Sequence, residues 1–165
     1  EKKYIKMIKD KTASLMSTST KLGAITSYAK DEFKKASFEF GENLGIAFQI
    51  KDDLLDILGS SYKTGKDTNA DVTSSMITLP MIYVLEKEIS FSSKSLINKA
   101  LSKKASKKQI IDLKKIISEE GGINYAENKL KYYTELAISC LDVMPNNEYK
   151  NSLIEIANYN VIRNR

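Results

Sequence analysis

Residues 40–58 read FGENLGIAFQIKDDLLDIL, and this stretch decides the fold. It contains no proline, and its apolar residues recur at three and four rather than at two, so the spacing predicts a helix. Extended backwards, the helix starts at Asp31, placed as its N-cap, and runs to about Leu58. At about 100° per residue, Gln49, Asp52, Asp53 and Asp56 fall inside a sector about 100° wide and form one polar stripe. The other directions are apolar through Leu44, Ile46, Ala47, Phe48, Ile50, Leu54, Leu55, Ile57 and Leu58, with Lys51 the exception. A helix apolar almost all round is a buried helix. Isolated buried carboxylates are costly, so these three must face a cation or a wet cavity.

The spacing D-D-x-x-D lets Asp52 and Asp56, or Asp53 and Asp56, reach one centre from consecutive turns. The donors are all hard oxygen, which selects Mg²⁺ or Mn²⁺ over zinc. Magnesium retains waters and completes its shell with phosphate oxygens, pointing to a diphosphate ligand. Two plainer readings stand beside this one: the aspartates pair with lysines of neighbouring helices, or they lie on an exposed face. Gly41 and Gly45, near the same face, either leave room for an elongated apolar ligand or permit close helix packing.

The rest of the chain narrows the chemistry further. With 165 residues, 42% hydrophobic and 28% charged, it suits one globular domain over residues 1–165 with a substantial core. No histidine and a single cysteine exclude Ser-His-Asp and Cys-His catalysis, a Cys/His zinc site and an internal disulfide. The net charge of +5 is carried almost wholly by lysine, with arginine only at 163 and 165, so nucleic-acid recognition is disfavoured. The densest basic stretch, Lys103 to Lys108, reads as a solvated helix junction. No apolar run approaches the roughly 20 residues of a bilayer span and no signal peptide is evident, so the expected setting is cytoplasmic.

Few glycines and prolines interrupt the chain, and it reads as all-α. Tyr4, Ile5, Ile8, Thr12, Leu15 and Met16 mark one face of a first helix, and residues 22–29 a second. Thr78 caps a helix with Pro80 in its first turn, running to about Lys87. Further helices are expected near 96–101, 107–119, 125–143 and 149–162. The connection 59–75 is long for a compact domain and suits a binding loop. It carries Lys63, Lys66, Asp67 and Asp71, but Gly59, Gly65 and Lys66 do not make a P-loop: the spacing is one too long and Asp67 stands where Ser or Thr is needed. Lys66 offers a point charge to a phosphate, although a solvated lysine is the plainer reading. Lys11 and Thr12 place an ammonium beside a hydroxyl that can bond its own helix carbonyl four residues back.

Taken in order, these segments resemble the trans-prenyltransferase (polyprenyl diphosphate synthase) family. Residues 40–56 resemble its second aspartate-rich motif with the helix before it, Lys11-Thr12-Ala13 its upstream K-T-A, and Gly65-Lys66, Asp71 and Thr78-Leu79-Pro80 its downstream landmarks. Gly121-Gly122-Ile123 and Tyr159 to Arg163 also fit. The resemblance implies an all-α isoprenoid synthase fold that condenses isopentenyl diphosphate with an allylic diphosphate. By it, Asp52, Asp53 and Asp56 hold Mg²⁺ on the allylic diphosphate, while Lys11, Thr12, Gln49 and Lys66 contact that substrate end. It also implies a homodimer in the intact protein. The family's first aspartate-rich motif and its isopentenyl diphosphate residues have no counterpart here, so the chain matches the C-terminal half and is expected to be inactive alone. Asn69, Ser75 and Met76 depart from the family pattern, and Met76 withdraws a phosphate contact. The alternatives are a non-catalytic subunit of a heteromeric synthase and a terpene cyclase of the same fold.

Overall fold

A computed structural model describes residues 1–58, 77–87, 90–102 and 106–164. Among these residues every regular element is helical: α1 (Lys2–Ile8), a π-helical turn (Lys9–Ala13), α2 (Ser14–Thr26), α3 (Asp31–Leu58), α4 (Leu79–Leu85), α5 (Phe91–Leu101), α6 (Lys107–Glu119), α7 (Gly122–Cys140) and α8 (Glu148–Ile162). The all-α expectation holds. The loop 59–75 with Lys63, Lys66, Asp67 and Asp71, as well as Met76, lies outside the described residues, as do 103–105 of the basic stretch.

Local signals account for most boundaries. Ser106 and Gln109 form a reciprocal capping box at the start of α6. The Asn147 side chain accepts from the Lys150 N–H at the start of α8. Helix α5 begins five residues before the expected Leu96, because the Ser90 hydroxyl accepts the Ser93 N–H and opens the helix there. Asp31 lies inside the first turn of α3 rather than capping it, and pairs with Lys34 at 2.9 Å. Thr78 occupies the N-cap of α4, but its side chain makes no capping bond. Helix α2 ends at Thr26, and Tyr28, two residues on, has a left-handed φ of 54°.

The N-terminal segment departs most from the expected pattern. Two helices with a break near residue 20 were expected, but the chain stays helical from Lys2 to Thr26 through the π turn. There the Ser14 N–H reaches Lys9 O, a five-residue step that inserts one residue into the helical count. Burial follows the inserted residue. Tyr4 and Ile8 are buried four apart, the next buried position is Ala13, five on, and Ser17 follows four later. Leu15, in line with the apolar face at uniform helical spacing, is therefore turned outward and is 72% exposed.

The chain divides into two compact units. In the unit of Lys2–Lys51 and Asn128–Arg165, Phe40, Ala137, Leu141 and Ala157 form a buried cluster flanked by Leu44, Ile138, Met144 and Leu153. In the unit of Asp52–Glu127, which includes Glu1, the buried residues include Leu54, Leu79, Val84, Ile97, Leu113 and Ile117. A side chain at Gly122 would place its Cβ 2.5 Å from Pro80 O, so the glycine admits α7 against α4. Gly121, at φ 81°, supplies the left-handed turn between α6 and α7. Tyr83 and Tyr125 stack beside that turn at 4.3 Å between ring centroids.

Candidate functional site

Helix α3 presents residues 37, 41, 45 and 49, one per turn, to the first 20 residues of the chain. The Thr20 hydroxyl donates to Ser37 O at 2.7 Å. A Cβ at Gly41 would come within 2.7 Å of Met16 O and Ser17 Cα, and one at Gly45 within 2.5 Å of Ala13 Cα. At the top of the series the Thr12 hydroxyl donates to Gln49 Oε1 at 2.6 Å. Lys9 pairs with Glu42 at 2.8 Å alongside. Of the two readings of Gly41 and Gly45, close helix packing is the one observed. Thr12 does not back-bond its own helix, because the π turn carries it to face α3. The turn that shifts the burial pattern is thus the turn that joins Thr12 to Gln49. Lys11, its neighbour, is exposed in a shallow depression with Lys3, Lys6, Met7 and Asp10.

The acidic residues occupy the following turns of α3, and their burial is graded. Asp53 is 8% exposed, Asp52 is half-buried and Asp56 is exposed. The stripe is therefore not uniformly buried as its apolar surroundings suggested, and Leu58 near it is 49% exposed. Lys114 of α6 is the cation that feels Asp56. Burial depresses its ammonium below the ordinary lysine range, and the Asp56 charge partly offsets that. The reading that sets the aspartates against lysines of neighbouring helices thus has support at the exposed end of the stripe. Among the described residues, no three acidic or thiol side chains converge into a cluster that would hold a metal ion by themselves. An all-oxygen set that does not close on itself still fits an ion that takes phosphate and water oxygens for the rest of its shell.

A family model for polyprenyl synthetase matches residues 1–119. The chain belongs to that family. A geranylgeranyl diphosphate synthase of Saccharolobus solfataricus is 35% identical over 167 residues, covering 100% of this chain and 50% of the relative. The solved structure of a decaprenyl diphosphate synthase from Rhodobacter capsulatus superposes with a TM-score of 0.88 at 28% identity, over 98% of this chain and 50% of that one. A geranylgeranyl pyrophosphate synthase from Corynebacterium glutamicum, solved with calcium and isoprenyl diphosphate, gives a TM-score of 0.83 at 26% identity, over 96% and 49% of the two chains. The chain spans about half the length of these relatives. The isoprenoid synthase fold that the motifs implied is the fold observed.

Of the expected site residues in the polyprenyl synthetase pattern, Thr12 and Gln49 are brought into direct contact. Asp52, Asp53 and Asp56 share one helix, Lys11 is on the surface, and Lys66 lies outside the described residues. Two lysines escaped the sequence reading. Lys114 has no motif, and only the tertiary approach of α6 reveals it. Lys51 was visible as the one charge interrupting the apolar surroundings of the acidic stripe, and its ammonium bonds Val161 O at 2.7 Å.

No described helix is long and apolar enough to cross a membrane.

Proposed function

We propose that this chain contributes the allylic-diphosphate end of a prenyltransferase that condenses isopentenyl diphosphate with an allylic diphosphate. The observation that carries this reading is the Thr12–Gln49 hydrogen bond one turn ahead of D-D-x-x-D on α3. Membership of the polyprenyl synthetase family supports it, and so does the diphosphate with a divalent ion in the Corynebacterium relative.

In this reading Asp52, Asp53 and Asp56 hold Mg²⁺, or Mn²⁺, on the allylic diphosphate. The bound ion supplies charge stabilisation to the departing diphosphate. The chain's own groups do the rest. Lys11 and Lys66 bring ammonium charge to the same diphosphate, where negative charge grows as the C–O bond breaks. Thr12 and Gln49, already fixed by each other, present a hydroxyl and an amide at that end with little ordering left to do. The apolar faces of the helices exclude water from the allylic cation until the second substrate attacks. The isopentenyl diphosphate site and the first aspartate-rich motif belong to the other half of the intact enzyme, which acts as a homodimer, and this half alone is inactive.

The test uses the natural polypeptide that contains this segment. It is incubated with farnesyl diphosphate, labelled isopentenyl diphosphate and Mg²⁺, and the products are sized. Extended prenyl diphosphates are expected, and their absence overturns the reading. If extension fails while Mg²⁺-dependent diphosphate binding persists, the chain is instead a subunit that needs a catalytic partner.

A further inference from the structure

The C-terminal turn of α8 is fastened to α3 just ahead of the acidic residues. Lys51 Nζ donates to Val161 O at 2.7 Å, one of the final helix carbonyls that lack a partner within the helix. Arg163 Nη2 donates to Phe48 O at 3.3 Å, and its guanidinium sits 4.2 Å from the centroid of the Phe48 ring. Arg163 Nε donates to Asn160 Oδ1 at 2.9 Å, and Asn160 is only 4% exposed. A buried acceptor therefore orients the guanidinium fork, and an aromatic face backs it. In an α-helix the carbonyl of residue 48 also accepts the N–H of residue 52. Arg163 thus adds a second donor to the carbonyl that starts the acidic turn.

We propose that Lys51 and Arg163 are positioning residues for the divalent-cation site, clamping the axial and rotational setting of α3 at the point where Asp52 and Asp53 emerge. The proposal rests on the reading of those aspartates as cation ligands. The physical need is precision: ligating side chains have to be held within about 0.5 Å of their productive geometry by groups that are themselves locked. Neither residue touches substrate in this scheme. Each acts on the backbone from which the ligands project, and each supplies what a neutral side chain of similar length does not, a charged donor on a backbone carbonyl.

The test again uses the full natural polypeptide, with Lys51→Met, Arg163→Met, the conservative Lys51→Arg and Arg163→Lys, and Asp52→Asn as a control. Mn²⁺ binding is titrated by the loss of its free EPR signal, in the presence of an unreactive allylic diphosphate analogue and without turnover, beside a thermal melt of each variant. Each methionine variant is expected to bind Mn²⁺ about tenfold more weakly, the low end of what removing an outer partner of a metal site costs. Lys51→Arg is expected to recover most of that loss, and Arg163→Lys, which keeps the charge but not the two-nitrogen fork, only part of it. Wild-type Mn²⁺ affinity in folded methionine variants overturns the clamp, even if their melting temperature falls. A loss that Lys51→Arg fails to recover also overturns it. If the wild-type protein itself takes up no Mn²⁺, or Asp52→Asn binds as well as wild type, the cation-site reading fails and the clamp with it.

Discussion

The two halves of α3 are built on opposite principles. From Ser37 to Gln49 the helix is held by contact so close that backbone meets backbone, with Gly41 and Gly45 against Met16, Ser17 and Ala13. The polar groups on this half, Thr20 with Ser37 O and Thr12 with Gln49, are satisfied within the packing. From Asp52 onward the same helix carries carboxylates of unequal exposure, with Asp53 buried, Asp52 half-buried and Asp56 exposed, and Lys114 feels the charge of Asp56. Close packing has no room for a ligand, whereas charge in a graded setting can accept one. One helix thus joins a closely packed half to a charged one, and the difference lies in side-chain size and charge rather than in backbone form.

The sharpest way to break the comparison is at the charged end. Asp52→Asn in the intact enzyme is expected to lower kcat by about 10²–10³, the scale of losing one group aimed at developing charge, while the melting temperature barely moves. Steady-state kinetics beside a thermal melt separates the two. A large loss of stability with Asp52→Asn would mean that this half holds the fold as well.

The converse substitution is Gly45→Val. Its Cβ would meet Ala13 Cα at 2.5 Å, and backbone cannot yield as a flexible side chain does. A destabilisation at or above the upper end of about 1–3 kcal/mol is expected, read by urea denaturation. Gly23, where an added Cβ meets nothing within 4 Å, is the matched control, and Gly23→Ala should be neutral or slightly stabilising.

Gln49→Leu tests the seam between the halves. It strands the Thr12 hydroxyl, for an expected cost of about 1–3 kcal/mol. The double variant with Thr12→Val should recover much of that stability, because two apolar partners replace two polar ones. Activity should not recover, since the proposed diphosphate contacts are gone from both positions. Recovery of activity in the double variant would reduce the Thr12–Gln49 pair to packing.

The smallest effect expected is at Lys114. Its folded pKa is lowered from the ordinary 10.5, mainly by burial. Between the lowered value and 10.5 the unfolded chain therefore binds more protons than the folded one, and stability rises with pH across that window. Lys114→Met should remove this alkaline rise, which denaturation at a series of pH values without divalent ions would reveal.

Much of this was legible in the residue order. The bounds of α3 and α6, the all-α class and the acidic stripe follow from periodicity and local chemistry along the chain. Leu15 was misplaced for an equally local-looking reason. Counting at a fixed angle assumes that every turn has the same number of residues, and the Lys9–Ala13 turn does not. The roles of Gly41 and Gly45 stayed open in the sequence, because a missing side chain does not reveal what fills the space.

What the sequence by itself determined is therefore most of the helices beyond the N-terminal segment, the donor chemistry and the family pattern, since propensity, hydrophobic period and motif spacing are properties of neighbouring residues. Only the tertiary structure decided that Thr12 meets Gln49, that the glycines serve packing, that Lys114 feels Asp56, and that Lys51 and Arg163 fasten α8 to α3. Each of these pairings joins residues more than 20 positions apart, and what selects it is the fit of whole helix surfaces, which no local window of sequence contains.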